Sequence, residues 1–185
     1  VQYRRHLLRG QRAKLGLHGP REGEPDDDSG DGDDAALADD WLALLQAGRV
    51  DFTLGWRRLA DAAAGDEAPL RALFADPRAP DAWLARWRER LANEDAGESD
   101  SAQDGPAIAG LERARAMRGV NPIVIARNHR VEEALAAASD NGDLAPFERL
   151  LDALRQPYDE SPGSAPYAEP APAAVTAAYQ TFCGT

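Results

Sequence analysis

Apolar residues recur every three or four positions through most of this chain, and that spacing predicts helices. Leu7 and Leu8 mark a first helix over Val1 to about Arg12. Leu37, Trp41, Leu44 and Leu45 form one stripe over Ala35 to Ala47, with Gly48 as its stop. Asp51 is placed to cap the next helix, whose stripe is Phe52, Trp56, Leu59 and Ala63. A short helix follows at Pro69 to Phe74, and then Asp81 to Ala92 brings Trp83, Leu84, Trp87 and Leu91 together. Ala107 to Arg118 is the next helix. Asn121-Pro122 reads as a helix start, because Asn caps well and Pro suits a first turn that needs no amide donor. Its stripe is Val124, Val131, Leu135 and Ala138. Asn141-Gly142 ends it, and Asp143 caps a last helix built on Phe147, Leu150, Leu151 and Leu154. No internal repeat and no convincing strand occurs, so the class is all-α.

Polar runs divide these helices. Pro, Gly, Asp and Ser dominate residues 20–34, which read as a disordered acidic loop with nothing to bury. Residues 93–106 read as a second acidic loop. The organisation is then a helix over 1–19, the loop 20–34, a helical segment 35–92, the loop 93–106, a helical segment 107–158, and a Pro/Ala-rich tail 159–185, extended over the surface.

Charge sharpens this picture. The formal net charge is −11. Ten acidic residues fall between Pro20 and Asp40 and five more between Glu94 and Asp104, leaving 17 acidic and 20 basic residues elsewhere. The folded body is therefore near neutral, and acidity says little about partners. No apolar run approaches the roughly 20 residues of a membrane span. Val1 to Leu17 carries five basic residues and no acid, as a transit peptide does, but it lacks serine and reads as an internal helix of a longer chain.

Candidate chemistry is sparse. A single cysteine, Cys183, excludes an intrachain disulfide and a cysteine-based zinc cage. It is compatible with a reducing compartment, and a cytoplasmic location is expected. Position alone leaves two roles open for Cys183: a small apolar residue tucked under a neighbour, or a mobile thiol that enters disulfides. His129-Arg130-Val131-Glu132-Glu133 resembles the start of an H-x-x-E-H metalloprotease signature but lacks its second histidine. Trp83-x-x-Arg86-Trp87-x-x-Arg90 mixes aromatics and arginines as base-stacking surfaces do. Its i, i+4 tryptophans fit a core-facing helix, with the arginines snorkelling or paired to carboxylates such as Glu89; no nucleic-acid partner is expected. Arg127, Asn128 and His129 form a polar triplet between apolar flanks, placed to hydrogen-bond neighbouring elements or to face a cleft. There is no phosphate loop, no G-x-S-x-G elbow and no typical kinase motif.

Several segments together resemble the C-terminal part of the selenoprotein O/YdiU-type protein adenylyltransferases, which have a protein-kinase-like fold. They are Arg12-Ala13-Lys14-Leu15-Gly16-Leu17, Asp51-Phe52-Thr53, Trp83-x-x-x-Trp87, Val120-Asn121-Pro122 and Ile125-x-Arg127-Asn128-His129 with Val131-Glu132. Gly142-Asp143 with Pro146-Phe147, Pro157-Tyr158, and the ending Tyr179-x-Thr181-Phe182-Cys183-Gly184-Thr185 complete the set. Their order over about 170 residues carries the resemblance more than any one piece.

The resemblance implies transfer of AMP from ATP to Ser, Thr or Tyr hydroxyls of proteins, with Mg²⁺ or Mn²⁺. It implies catalytic groups in a preceding kinase-like part, within Asn-Thr-Asp-Asn and Asp-Tyr-Gly-Pro-Phe stretches that this sequence does not contain. No catalytic or metal-ligating residue therefore transfers to this chain, and alone it is expected to be inactive. One position does transfer: Cys183 stands where some members carry selenocysteine, which implies a redox role with a partner in the kinase-like part. The implied partners are that part and the protein substrates. A standalone helical interaction module, or the product of a truncated gene, is the alternative reading.

Overall fold

The computed structural model describes residues 2–18, 31–97 and 106–178. Within them the chain forms ten helices and no strand. They are α1 (Gln2–Leu15), α2 (Asp31–Ala47), α3 (Phe52–Ala63), α4 (Ala68–Arg71), α5 (Asp81–Gly97), α6 (Pro106–Val120), α7 (Asn128–Asn141), α8 (Ala145–Arg155), α9 (Ala165–Ala168) and α10 (Ala173–Ala178). The chain divides into two compact units, Val1–Asn121 and Pro122–Thr185.

The first unit is organised by its four tryptophans, all buried as the helical spacing predicts. Trp41 of α2 lies 4.4 Å from Trp83 of α5 between ring centroids, and Trp83 stacks on Trp87 at 5.8 Å. Trp56 of α3 meets Trp41 edge-on at 6.2 Å. Such pairs add to plain area burial when offset or edge-to-face. Two indoles also tie helices by hydrogen bonds: Trp83 Nε1 donates to the Leu37 carbonyl and Trp87 Nε1 to the Leu15 carbonyl, both at 2.9 Å. Asp51 caps α3 as expected, accepting from the Leu54 amide at 2.9 Å. Phe52, placed in the apolar stripe of α3 by spacing, is instead exposed.

Both acidic segments are shorter than the sequence pattern implied. α2 begins at Asp31 and α5 continues through Gly97. Asp34, read as part of a loop with nothing to bury, has no solvent exposure. The reason is partner supply: each helical extension carries carboxylates into reach of arginines on other helices. Residues 19–30 and 98–105 lie outside the described residues.

In the second unit the helix expected from Asn121 starts at Asn128. The groups an N-cap would use are committed elsewhere. The Asn121 side chain is bonded to Lys14, and the Ile123 and Val124 amides both donate to the Pro157 carbonyl, at 2.8 and 3.1 Å. α7 ends at Gly142, which has φ 67°, and the Gly142 and Asp143 amides return to the Ala138 and Ala137 carbonyls in a Schellman-type stop. The small core of this unit is Ile123, Val124, Ala134 and Leu150. Leu135 and Phe147, assigned to apolar stripes by spacing, are exposed. The tail expected to be extended contains α9 and α10, and buried Ser164 organises the turn before α9 by donating to the Asp159 carbonyl at 3.0 Å.

Candidate functional site

The densest set of charged groups in the first unit centres on Asp34. α2 delivers this carboxylate, α1 delivers Arg12, and α5 delivers Arg90, so three helices meet at one carboxylate. Arg12 Nε donates to Asp34 Oδ2 at 2.6 Å, and Arg90 donates through Nε to Oδ1 at 2.8 Å and through Nη2 to Oδ2 at 3.2 Å. The hydrogen bond to Asp34 raises the Arg90 pKa above its usual value, against the opposing effect of burial. One turn along α5, Glu94 Oε1 accepts from the His18 amide at 3.1 Å, and Oε2 lies 3.2 Å from His18 Nδ1. Arg113 of α6 then donates to Asp95 at 2.6 Å and to the Gly16 carbonyl at 2.9 Å.

A second polar group lies at the end of this unit. Lys14 Nζ donates to Asn121 Oδ1 at 3.0 Å, and Asn121 Nδ2 donates back to the Lys14 carbonyl at 3.1 Å. Arg57 Nη1 donates to the Asn121 and Arg118 carbonyls at 3.1 and 3.0 Å. The Lys14 ammonium sits 5.6 Å from the Trp56 ring, and burial lowers its pKa.

These groups tie the elements of the first unit to one another. Each guanidinium named above points at a carboxylate or a carbonyl within this unit. Among the described residues no three His, Cys, Asp or Glu side chains are grouped to hold a metal ion. A cleft of about 530 Å³ in the second unit offers Arg149 against the carboxylates Asp152 and Asp159, a balance unsuited to nucleotide phosphates. The described residues therefore do not fit an ATP–metal site.

The polar triplet of the second unit separates at the start of α7. Arg127 is the N-cap residue, is buried, and donates through Nη2 to the Ala168 carbonyl at 2.8 Å. His129 is buried, while Asn128 points to solvent. The triplet thus ties neighbouring elements through Arg127 and does not converge on one cleft. Cys183 lies outside the described residues. Asp34 and Glu94 were not singled out by spacing or motif, and Lys14 and Asn121 stood in segments that carry the resemblance without being paired. The available signal was Asp34 falling in helical register with the stripe that follows it.

No protein-family model matches the chain. Over 185 residues it is 50% identical to the protein nucleotidyltransferase YdiU of Cereibacter sphaeroides, covering 100% of this chain and 32% of that protein. It is 46% identical over 183 residues to the protein of the same name from Chromobacterium violaceum, covering 99% of this chain and 34% of the other. A third, from Rhizobium johnstonii, is 44% identical over 186 residues, covering 100% and 33%. The chain spans about a third of the length of the curated relatives it matches.

Proposed function

We propose that this chain, which belongs to the YdiU protein nucleotidyltransferase family, serves as the C-terminal part of a protein adenylyltransferase. The observation that carries the proposal is identity of 50% along the whole chain to a protein of that name. In the whole enzyme a Ser, Thr or Tyr hydroxyl of a protein substrate attacks the α-phosphorus of ATP. AMP is transferred to the hydroxyl oxygen and pyrophosphate leaves. Mg²⁺ or Mn²⁺ supplies neutralisation of phosphate charge in such chemistry. In this reading the nucleotide is held by the part of the enzyme that this chain does not span, since the described residues group no metal-ligating side chains.

Its part is to buttress a kinase-like lobe and to carry Cys183 as a redox-active thiol toward a cysteine of that lobe. The first unit supports a scaffolding role, because Arg12 and Arg90 are held by Asp34, Arg113 by Asp95 and Arg118 by Asp61. No helix among the described residues is long and apolar enough to cross a membrane. A cytoplasmic enzyme acting on cytoplasmic proteins is the location we propose.

The test exchanges the matched third of the Cereibacter sphaeroides protein for this chain, end to end. The expected result is labelled AMP incorporated into protein by the chimera and none by the 185-residue chain alone. Incorporation by the isolated chain, or a folded chimera without transfer, overturns the reading. For the thiol, Cys183→Ser should abolish the loss of two hydrogen atoms in mass that a thiol oxidant, an added disulfide, produces in the chimera.

A further inference from the structure

α1 has two faces of different character. Leu8, Arg12 and Leu15 recur at i, i+4, i+7 and are buried against the first unit. Tyr3, Leu7 and Gly10 recur at the same spacing on the far side. There Tyr3 is 78% exposed and Leu7 48%. Gly10 stands in the middle of the helix, where glycine is unfavourable relative to alanine. Nothing in the described chain requires it: a Cβ built at Gly10 meets no atom within 4 Å. Gly110 shows the contrast, since its Cβ would lie 2.7 Å from the Ala63 carbonyl oxygen. A glycine beside an exposed tyrosine and leucine is the arrangement that lets another backbone approach a helix closely.

We infer that the Tyr3–Leu7–Gly10 face of α1 is the seat of a segment from the two thirds of the relatives' length that this chain does not span. Its occupant is chosen by length: this chain covers 32% of the Cereibacter sphaeroides protein, so about two thirds of that protein's length remains to supply a segment that covers the face. The face is made of Tyr3, Leu7 and Gly10, so the segment that meets it is apolar where it seats. The inference rests on the family reading above, and names where the rest of that protein meets this chain.

Hydroxyl-radical footprinting read by mass spectrometry tests it without altering the face. Oxidation of Tyr3 and Leu7 in the isolated chain is compared with that in the chimera described above. The expected result is at least tenfold protection of both residues in the chimera. A companion variant, Gly10→Leu, should lower the melting temperature of the chimera while leaving that of the isolated chain unchanged or raised. Equal oxidation in both proteins overturns the inference. So does protection in the isolated chain that grows with its concentration, which would make a second copy the occupant. An insoluble chimera also counts against it, because an end-to-end exchange preserves the contact proposed. AMP transfer is scored separately: transfer with Tyr3 still open defeats the docking face alone, and protection without transfer defeats the functional reading alone.

Discussion

Asp34 grips Arg90 through two nitrogens, Nε at 2.8 Å and Nη2 at 3.2 Å, with the carboxylate wholly removed from solvent. Arg12 reaches the same carboxylate at 2.6 Å, so three helices depend on one side chain. Removing one partner of a buried ion pair costs about 3–5 kcal/mol, and Glu94, 3.5 Å from Arg90, places this one at the lower end. Asp34→Ala should lower stability by that amount in urea denaturation. Arg86→Ala, which breaks an exposed pair with Asp40, should cost about 1 kcal/mol or less. Equal losses from the two variants would remove Asp34 from its central place.

Lys14 gives the first unit a pH dependence of known sign. Burial lowers its pKa in the folded chain from the ordinary 10.5. Between the lowered value and 10.5 the unfolded chain binds the proton and the folded chain has released it. Stability contributed by this group therefore rises as pH rises through that window. Urea titrations from neutral pH to 10.5 should show that rise in the parent and its absence in Lys14→Met, other groups being common to both. Parallel pH profiles would mean that Lys14 is solvated in the folded chain.

Local pattern made α3 and α5 legible. The Asp51 cap and the i, i+4 tryptophans of α5 are decided within a few residues, and the structure uses them as spaced. What pattern missed depends on distant partners. Asp34 sits in an acidic run that looks solvated, but Arg12 and Arg90 lie 22 and 56 positions away. Asn121 has the composition of a helix cap, yet its side chain is used by Lys14 at a separation of 107. Tertiary bonds took the groups that local propensity had assigned. The triplet at Arg127 was legible as polar but not as divided, because division follows from where α7 begins.

Gly16 and Gly142 separate backbone from packing. Both have left-handed φ, 74° and 67°. A Cβ at Gly142 meets nothing within 4 Å, whereas one at Gly16 lies 2.7 Å from Met117 Sδ and 2.8 Å from Arg113 Cγ. Met117 is fully buried, so it can yield only by displacing packed neighbours. Gly142→Ala should cost about 1–2 kcal/mol for the backbone alone. Gly16→Ala should add about 1–3 kcal/mol of overpacking to the same backbone cost. Thermal or urea unfolding of the two variants measures the difference.

Arg127 holds a helix that cannot hold itself. α9 has four residues, no side-chain cap bond and no buried residue. A single turn is unstable without tertiary support, because its nucleation is unfavourable. Beside the Ser164 turn that precedes it, α9 is supported by the Arg127 Nη2 bond to the Ala168 carbonyl at 2.8 Å, at its end. Hydrogen bonds to charged groups contribute about 1.5–3 kcal/mol, or roughly 10- to 150-fold in an opening equilibrium. Arg127→Ala should therefore speed amide exchange at Tyr167 and Ala168 by that factor, with α5 unchanged. Arg127→Lys should give an intermediate increase, since an ammonium keeps the charge but not the reach and planarity of the guanidinium. Unchanged exchange in both variants would show that Ser164 and its turn suffice to hold α9.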